Sequence, residues 1–269
     1  MTRMLLLVFL VASFITCQSV SAASVNPGPD LEQLKLVTQL PGEVPRRVSS
    51  IAYDGEKLWV GIYMGYGIYA TLDPSSLQWT IGNEKKSRDA ISDVSGAFNS
   101  PGGLCFINGK LWIGGSYGES FGSVDPRDWK VENKFSVRQK DGSASQSYAG
   151  LAYDGNHLWI AWHWNKYSYP VSQTQVLLKV ELKSGLVIAE YPLPPGQPRD
   201  LTHGLTFDGS LLWHAKGNKL ASIDPSTGQV VAEYRLGQIK RVSGLAWDDK
   251  GLWISEFDGK IWRLPFRFS

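Results

Sequence analysis

The chain has almost no cysteine. Of two in 269 residues, Cys17 lies in an N-terminal apolar run, and only Cys105 is found beyond it. A lone thiol forms no internal disulfide and cannot build a zinc–cysteine centre, so stability must come from a packed core. Cys105, between Leu104 and Phe106, reads as a small buried hydrophobe. Charge of one sign is also missing. Lys+Arg number 27 and Asp+Glu 25, a formal net charge of +2, with no run of like charges. That balance excludes a global field recruiting nucleic acid or an anionic membrane, and it excludes a charged disordered tail. Histidines number four. His163, His203 and His214 form no close ligand pair, so neither a metal nor a cofactor is expected. No Gly-x-Ser-x-Gly or His-Glu-x-x-His motif occurs.

Long apolar runs are absent but for Met4 to Ile15, which follows Arg3 and precedes Val20-Ser21-Ala22. The run is too short for a membrane span, and polar residues follow at once. Residues 1–22 therefore read as a signal peptide cut after Ala22, with Ala23 as the alternative site. A lipoprotein role for Cys17 is the other reading, against which Ile15-Thr16 is a poor match. The protein is expected in the periplasm or outside the cell, without membrane insertion after signal removal. Residues 23–33 form a lead, and residues 34–269 form one domain.

What the chain does have is a repeat. Ile51-Ala52-Tyr53-Asp54-Gly55 leads into Leu58-Trp59-Val60-Gly61, and Leu104-Cys105-Phe106-Ile107-Asn108-Gly109 into Leu111-Trp112-Ile113-Gly114. The pattern returns at Leu158-Trp159-Ile160-Ala161, Leu212-Trp213-His214-Ala215 and Leu252-Trp253-Ile254-Ser255. Self-similarity at this period marks a propeller or a solenoid. Each unit is a hairpin turning at Asp-Gly or its equivalent, followed by a second hairpin turning at segments such as Asp73-Pro74-Ser75-Ser76. Two hairpins make a four-stranded blade. No window carries a clear helical period, although 84–98 has room for a short helical turn.

The fifth unit ends early, after Ile261-Trp262-Arg263-Leu264. Leu34 to Gly42 resembles the outer strands at Val187 to Leu193 and Val230 to Leu236, and supplies the missing one. The expected fold is all-β: a five-bladed β-propeller of four-stranded antiparallel blades, closed by the N-terminal strand joining the C-terminal blade. Closure leaves no open end to cap, and a monomer is expected. The five Leu-Trp tryptophans read as core, each filling the wedge between blades. A small residue stands two places beyond each.

Function is expected on the loops entering each inner strand and leaving the next, which share one face. The third-blade insertion places Trp162, His163, Trp164 and Tyr167 there, a set suited to sugars, cyclic groups or cations. Arg46-Arg47 and Lys240-Arg241 occupy equivalent places in adjacent blades, and Arg47 with Arg241 would grip a carboxylate or phosphate. His203 stands where the other blades have Ser49, Gly102, Ala149 and Ser243, and His214 replaces an apolar residue. The ligand-binding candidates are thus Trp162, His163, Trp164, Tyr167, His203, His214, Arg47 and Arg241. The partner expected is a small molecule, glycan or peptide, with no nucleic acid.

The segments Gly-Leu-Ala-[Tyr/Trp]-Asp, Leu-Trp-Ile and Ile-Asp-Pro-Ser-Thr-Gly, with five blades and a closing strand, resemble the plant and bacterial glutaminyl cyclases (glutamine cyclotransferases). That resemblance implies conversion of N-terminal glutamine to pyroglutamate. The family's Phe-Thr-Gln-Gly-Leu opening corresponds to Leu201-Thr202-His203-Gly204-Leu205, in a different blade, and its Glu-Ser-Thr-Gly and Phe-Gly-Glu-Gly segments are absent. Two further functions therefore stand beside a binding module. One is an enzyme of this or another hydrolytic kind, with Glu256 or Glu119 as acid–base and His203 as helper. The other is a protein-interaction scaffold.

Overall fold

A computed structural model describes residue 29 and residues 31–42, 47–63, 68–82, 84–95, 101–115, 120–136, 148–163, 175–193 and 203–266. It shows five four-stranded antiparallel sheets arranged as a propeller. Strand β1 (Lys35–Gln39) comes first and waits for the last blade. Blade 1 is β2 (Arg47–Tyr53), β3 (Leu58–Tyr63), β4 (Tyr69–Leu72) and β5 (Trp79–Gly82). Blade 2 follows helix α1 (Lys85–Ser95) and comprises β6 (Pro101–Ile107), β7 (Lys110–Gly115), β8 (Phe121–Asp125) and β9 (Lys130–Phe135). Blade 3 is β10 (Tyr148–Tyr153), β11 (His157–His163), β12 (Gln175–Glu181) and β13 (Val187–Pro192). Blade 4 is β14 (His203–Phe207), β15 (Leu212–Lys216), β16 (Lys219–Ile223) and β17 (Val230–Arg235). In blade 5, β18 (Val242–Trp247), β19 (Gly251–Glu256) and β20 (Lys260–Pro265) are completed by β1.

The closure expected from the sequence is present. Lys35 stands opposite Arg263 and Gln39 opposite Lys260. The lead joins in as well: Pro29 bridges Phe266, and a 3₁₀ turn at Leu31–Gln33 sets Leu31 against the core between blades 4 and 5. The ring is sealed by inner strands that contact their neighbours all round, β18 against β2 included. At this seam a Cβ on Gly244 would lie 2.6 Å from the backbone nitrogen of Ile51, so only glycine permits so close an approach.

Five apolar clusters hold the blades together, one in each wedge. Trp59 packs with Leu104 and Ile113 of blade 2, and Trp112 with Leu158 and Ile160 of blade 3. Trp159 packs with Leu205 of blade 4, Trp213 with Leu245 and Ile254 of blade 5, and Trp253 with Val60 of blade 1. All five tryptophans are 5% exposed or less. Each ring removes roughly 150–250 Å² from water, a gross gain of about 4–6 kcal/mol.

The turns between the first two strands of each blade do more than reverse the chain. In four blades the turn aspartate accepts the indole N–H of the tryptophan five residues later. The bonds are Trp59 to Asp54 at 2.7 Å, Trp159 to Asp154 at 2.8 Å, Trp213 to Asp208 at 2.7 Å and Trp253 to Asp248 at 2.7 Å. The other carboxylate oxygen accepts backbone N–H groups of the turn, as Asp54 does from Glu56 and Lys57. One side chain thereby fixes both the bend and the wedge ring. Blade 2 departs from this: Ile107 takes the aspartate's place, and Asn108-Gly109 turns with positive φ at both residues.

Helix α1 is longer than the single turn for which the sequence left room. Ala90, Ile91 and Val94 are buried against blade 2 beside Leu111 and Val124, while Lys85, Lys86, Arg88 and Asp89 remain exposed. Three apolar residues on one face suffice once a sheet is there to cover them. Ser120 Oγ donates to the Val94 carbonyl at 2.6 Å, satisfying one orphaned acceptor of the last turn. Much of the excursion Asn83–Ser100 is thus packing on its own blade.

Candidate functional site

Both arginines singled out in the sequence stand at the loop end of the ring, on the seam between blades 5 and 1. Arg47 opens β2, and Arg241 immediately precedes β18. A single ring gathers them: the Arg241 guanidinium lies 4.3 Å from the centroid of Phe257, and that of Arg47 lies 5.2 Å from it. Tyr63, at the end of β3, packs on the same phenylalanine with centroids 5.6 Å apart. Guanidinium groups favour aromatic faces, and here one ring holds two cations close together despite their repulsion. Among the described residues, neither arginine is in an ion pair.

Glu256 builds this seat. It is 3% exposed, at the end of β19, and its two oxygens are divided between three donors. Oε1 accepts the backbone N–H groups of Lys240 at 2.7 Å and Arg241 at 3.4 Å, and Oε2 accepts the Trp262 indole at 2.8 Å. Phe257 N in turn donates to the Arg241 carbonyl at 3.1 Å. The carboxylate therefore ties the Arg241 loop to the turn that carries Phe257. Both of its oxygens accept structural hydrogen bonds, which is not the arrangement of a free acid–base.

In the inner strands, Ser243 Oγ and Ser255 Oγ of blade 5 are 2.9 Å apart, whereas the Ser49 and Ser50 hydroxyls, 3% and 2% exposed, lie beside Gly61 and Pro101, where blade 1 meets blade 2, with no hydrogen-bond partner among the described residues. Arg241 Nε, at the seam of blades 5 and 1, is also buried and unpartnered among the described residues. Buried polar groups in native proteins rarely stay unsatisfied, so a water or a ligand group is expected to meet them.

The remaining sequence candidates distribute differently. Trp162 is expected on the binding face, but it is 7% exposed in the wedge between blades 2 and 3, with Trp112 and Phe121. Its strand register, opposite Val176, carries it inward before the insertion begins. Trp164, Tyr167 and Glu119 lie outside the described residues, as do the side chains of His163 and His203 and the signal segment 1–22. His214 is 4% exposed within β15, paired with Leu205 and Ala221. Burial, and then the nearby Lys216 charge, lower its pKa from 6.5 to about 3.

That shift has a sign. In the unfolded chain His214 takes up its proton near pH 6.5, whereas in the folded one it waits until about pH 3. Between those values the unfolded state binds more protons. Its contribution is therefore complete above pH 6.5 and is lost as pH falls toward 3, by about 2–3 kcal/mol at pH 4.5. His214→Ile, which restores the kind of residue found in the other blades, is expected to remove that loss. Urea midpoints at pH 7 and pH 4.5 measure it, and an unchanged pH response in the variant would contradict the assignment.

Phe257 escaped the sequence reading. Its only signal was position: it follows the inner pair of strands of blade 5, at the loop leaving that pair, beside Arg241 in space but sixteen residues away along the chain. Among the described residues, no group of three or more His, Cys, Asp or Glu is placed to hold a metal ion. None of their helices is long and apolar enough to cross a membrane.

No family model matches the chain. No curated protein does either. Its likeness is to solved structures. Selenomethionine-substituted virginiamycin B lyase from Staphylococcus aureus shares 18% identity at a TM-score of 0.52, over 87% of this chain and 100% of that one. A catalytically inactive form of that lyase with quinupristin gives 16% and 0.50 over the same shares. BamB from Moraxella catarrhalis gives 13% and 0.44, over 86% of this chain and 63% of that one. The likeness is one of propeller fold, and none of these three is a glutaminyl cyclase.

Proposed function

We propose that this protein is an exported propeller that binds an anionic small molecule, glycan or peptide on its loop face, with Arg47 and Arg241 gripping the anion. One observation carries the reading: two guanidinium groups from adjacent blades converge on Phe257 without a carboxylate partner among the described residues. Holding like charges together costs free energy in the empty site, and a bound carboxylate or phosphate would offset it. Export is part of the proposal and rests on residues 1–22.

The cyclotransferase reading rests on blade count and the closing strand. It has less support at the site, because Glu256 already accepts hydrogen bonds from three structural donors. A screen of carboxylate-bearing glycans, acidic peptides and phosphorylated small molecules by calorimetry is the test. A ligand found there should bind about 10- to 100-fold more weakly to Arg241→Ala, as expected for losing a charge-assisted hydrogen bond. An unchanged affinity in that variant, or a preference for uncharged analogues, would remove the proposal.

A further inference from the structure

Blades 2 and 3 share four equivalent positions at the end opposite the loop face, and fill them differently. In blade 2 these are Lys110, Asp125, Arg127 and Glu132, and the four charges satisfy one another. Lys110 Nζ lies 2.7 Å from Asp125 and 2.6 Å from Glu132, and Arg127 Nε donates to Asp125 at 2.9 Å. In blade 3 the equivalent residues are His157, Glu181, Lys183 and Ile188. Lys110 and His157 each precede a Leu-Trp pair, and Asp125 and Glu181 each end the third strand. Glu132 and Ile188 are the bulged residues of the fourth strand.

The blade 3 set stays open. Among the described residues, neither Glu181 nor Lys183 is in an ion pair. Glu181 Oε2 accepts from Ser184 Oγ, and its other oxygen has no partner among the described residues. His157 is shorter than a lysine and is drawn to its own turn. Its backbone N–H donates to Asp154 at 2.6 Å, and its Nδ1 lies 3.4 Å from the same carboxylate. Ile188, 54% exposed, puts an apolar side chain where blade 2 has a carboxylate. All four line a cavity of about 400 Å³ between blades 2 and 3, together with Asn108 and Leu182. That size falls among small-molecule sites, roughly 300–1,000 Å³.

Set against blade 2, blade 3 lacks the Lys110 ammonium beside the turn carboxylate, and it lacks the Glu132 carboxylate. One small molecule supplies both. An α-amino acid carries an ammonium for Glu181 and a carboxylate for Lys183, each a charge-assisted hydrogen bond. The Asn108 amide offers a further donor and acceptor, and Leu182 with Ile188 offers the side chain an apolar wall. A simple anion would be repelled by Glu181, and a simple cation by Lys183.

We infer that the cavity between blades 2 and 3 binds a free α-amino acid with an apolar side chain, its ammonium held by Glu181 and its carboxylate by Lys183. The site stands apart from the anion site proposed above, which lies on the seam of blades 5 and 1.

Titration with L-leucine, followed by backbone amide NMR shifts, tests it against two blocked forms of the same molecule. Leucine is expected to approach saturation by about 10 mM, with shifts confined to the lining residues of this cavity. N-acetylleucine lacks the cation and leucine amide lacks the anion, and each should bind at least about tenfold more weakly. Glu181→Gln and Lys183→Gln, both at exposed positions, should have effects of the same size on leucine. The most direct variant rebuilds the blade 2 network: His157→Lys together with Ile188→Glu should close the cavity and abolish binding, with the melting temperature level or raised. Ile188→Glu alone, which removes the apolar wall, serves if the pair does not fold, and should weaken leucine severalfold. No shifts at about 10 mM, equal binding of leucine and both blocked forms, or undiminished binding by a folded rebuilt variant would overturn the inference. So would shifts clustered at Arg241 and Phe257, which belong to the other site.

Discussion

Removing residues 29–42 is expected to unfold the entire domain, not to loosen one blade. Strand β1 is the outer strand of blade 5, and its flanking leucines enter two different wedges. Leu34, 5% exposed, belongs to the cluster between blades 4 and 5, and Leu40, 8% exposed, to the one between blades 5 and 1. The strand also reaches blade 1, where Trp79 donates its indole N–H to Thr38 at 3.2 Å. Burying two leucines contributes roughly 3–6 kcal/mol, and each ladder hydrogen bond about 0.5–1.5 kcal/mol more. That sum matches the total stability of an ordinary domain, about 5–15 kcal/mol. Circular dichroism should show no cooperative melt in the truncated protein, while removal of residues 23–28 alone should leave the melting temperature unmoved. A cooperative melt near the original temperature without β1 would refute the closure argument.

Glu256→Ala should be the most damaging single substitution at the seam, costing about 3–5 kcal/mol. The change strands the buried Trp262 indole and two part-buried backbone N–H groups, and leaves a void where the carboxylate stood. Glu256→Gln should fall between, because the amide presents N–H groups to donors already in place. Urea unfolding gives the stability, and titration with an anionic ligand gives a second reading: Arg241 loses its anchor, so affinity should fall with it. Stability within about 1 kcal/mol of the original would mean that the carboxylate does not hold this turn. A residue acting only as an acid–base would show the reverse pattern, with activity lost and stability kept.

The blades were legible because each repeats a strong local pattern, and the closing strand because Leu34 to Gly42 carries the pattern of the other outer strands. The double role of the turn aspartates was hidden. Asp54 or Asp208 beside glycine already explains a turn, so nothing in the sequence calls for a second partner five residues on. Helix α1 was faint because Ala90, Ile91 and Val94 are its entire apolar face, too little to show as a period among lysines and serines. Trp162 misled for a related reason. It stands beside His163 and Trp164 in sequence, yet alternation along β11 sends it into the wedge. Arg47 and Arg241 were found by equivalence between blades, but Phe257 joins them only in space.

The way the ring closes also sets an order in time. Gln39 donates to the Asp258 carbonyl across 219 residues of chain. At ordinary synthesis rates, about 5–20 residues per second, β1 waits roughly 10–40 s for its partner to be made. During that wait it is an unpaired strand, the kind of edge that recruits other chains. Its composition suits the delay: Lys35, Thr38 and Gln39 flank Leu36 and Val37, so the waiting segment is short and mostly polar. The last event of folding is then the meeting of the two chain ends. A permuted chain opened between blades 4 and 5, in which β1 follows β20 directly, would exchange that slow encounter for a local hairpin.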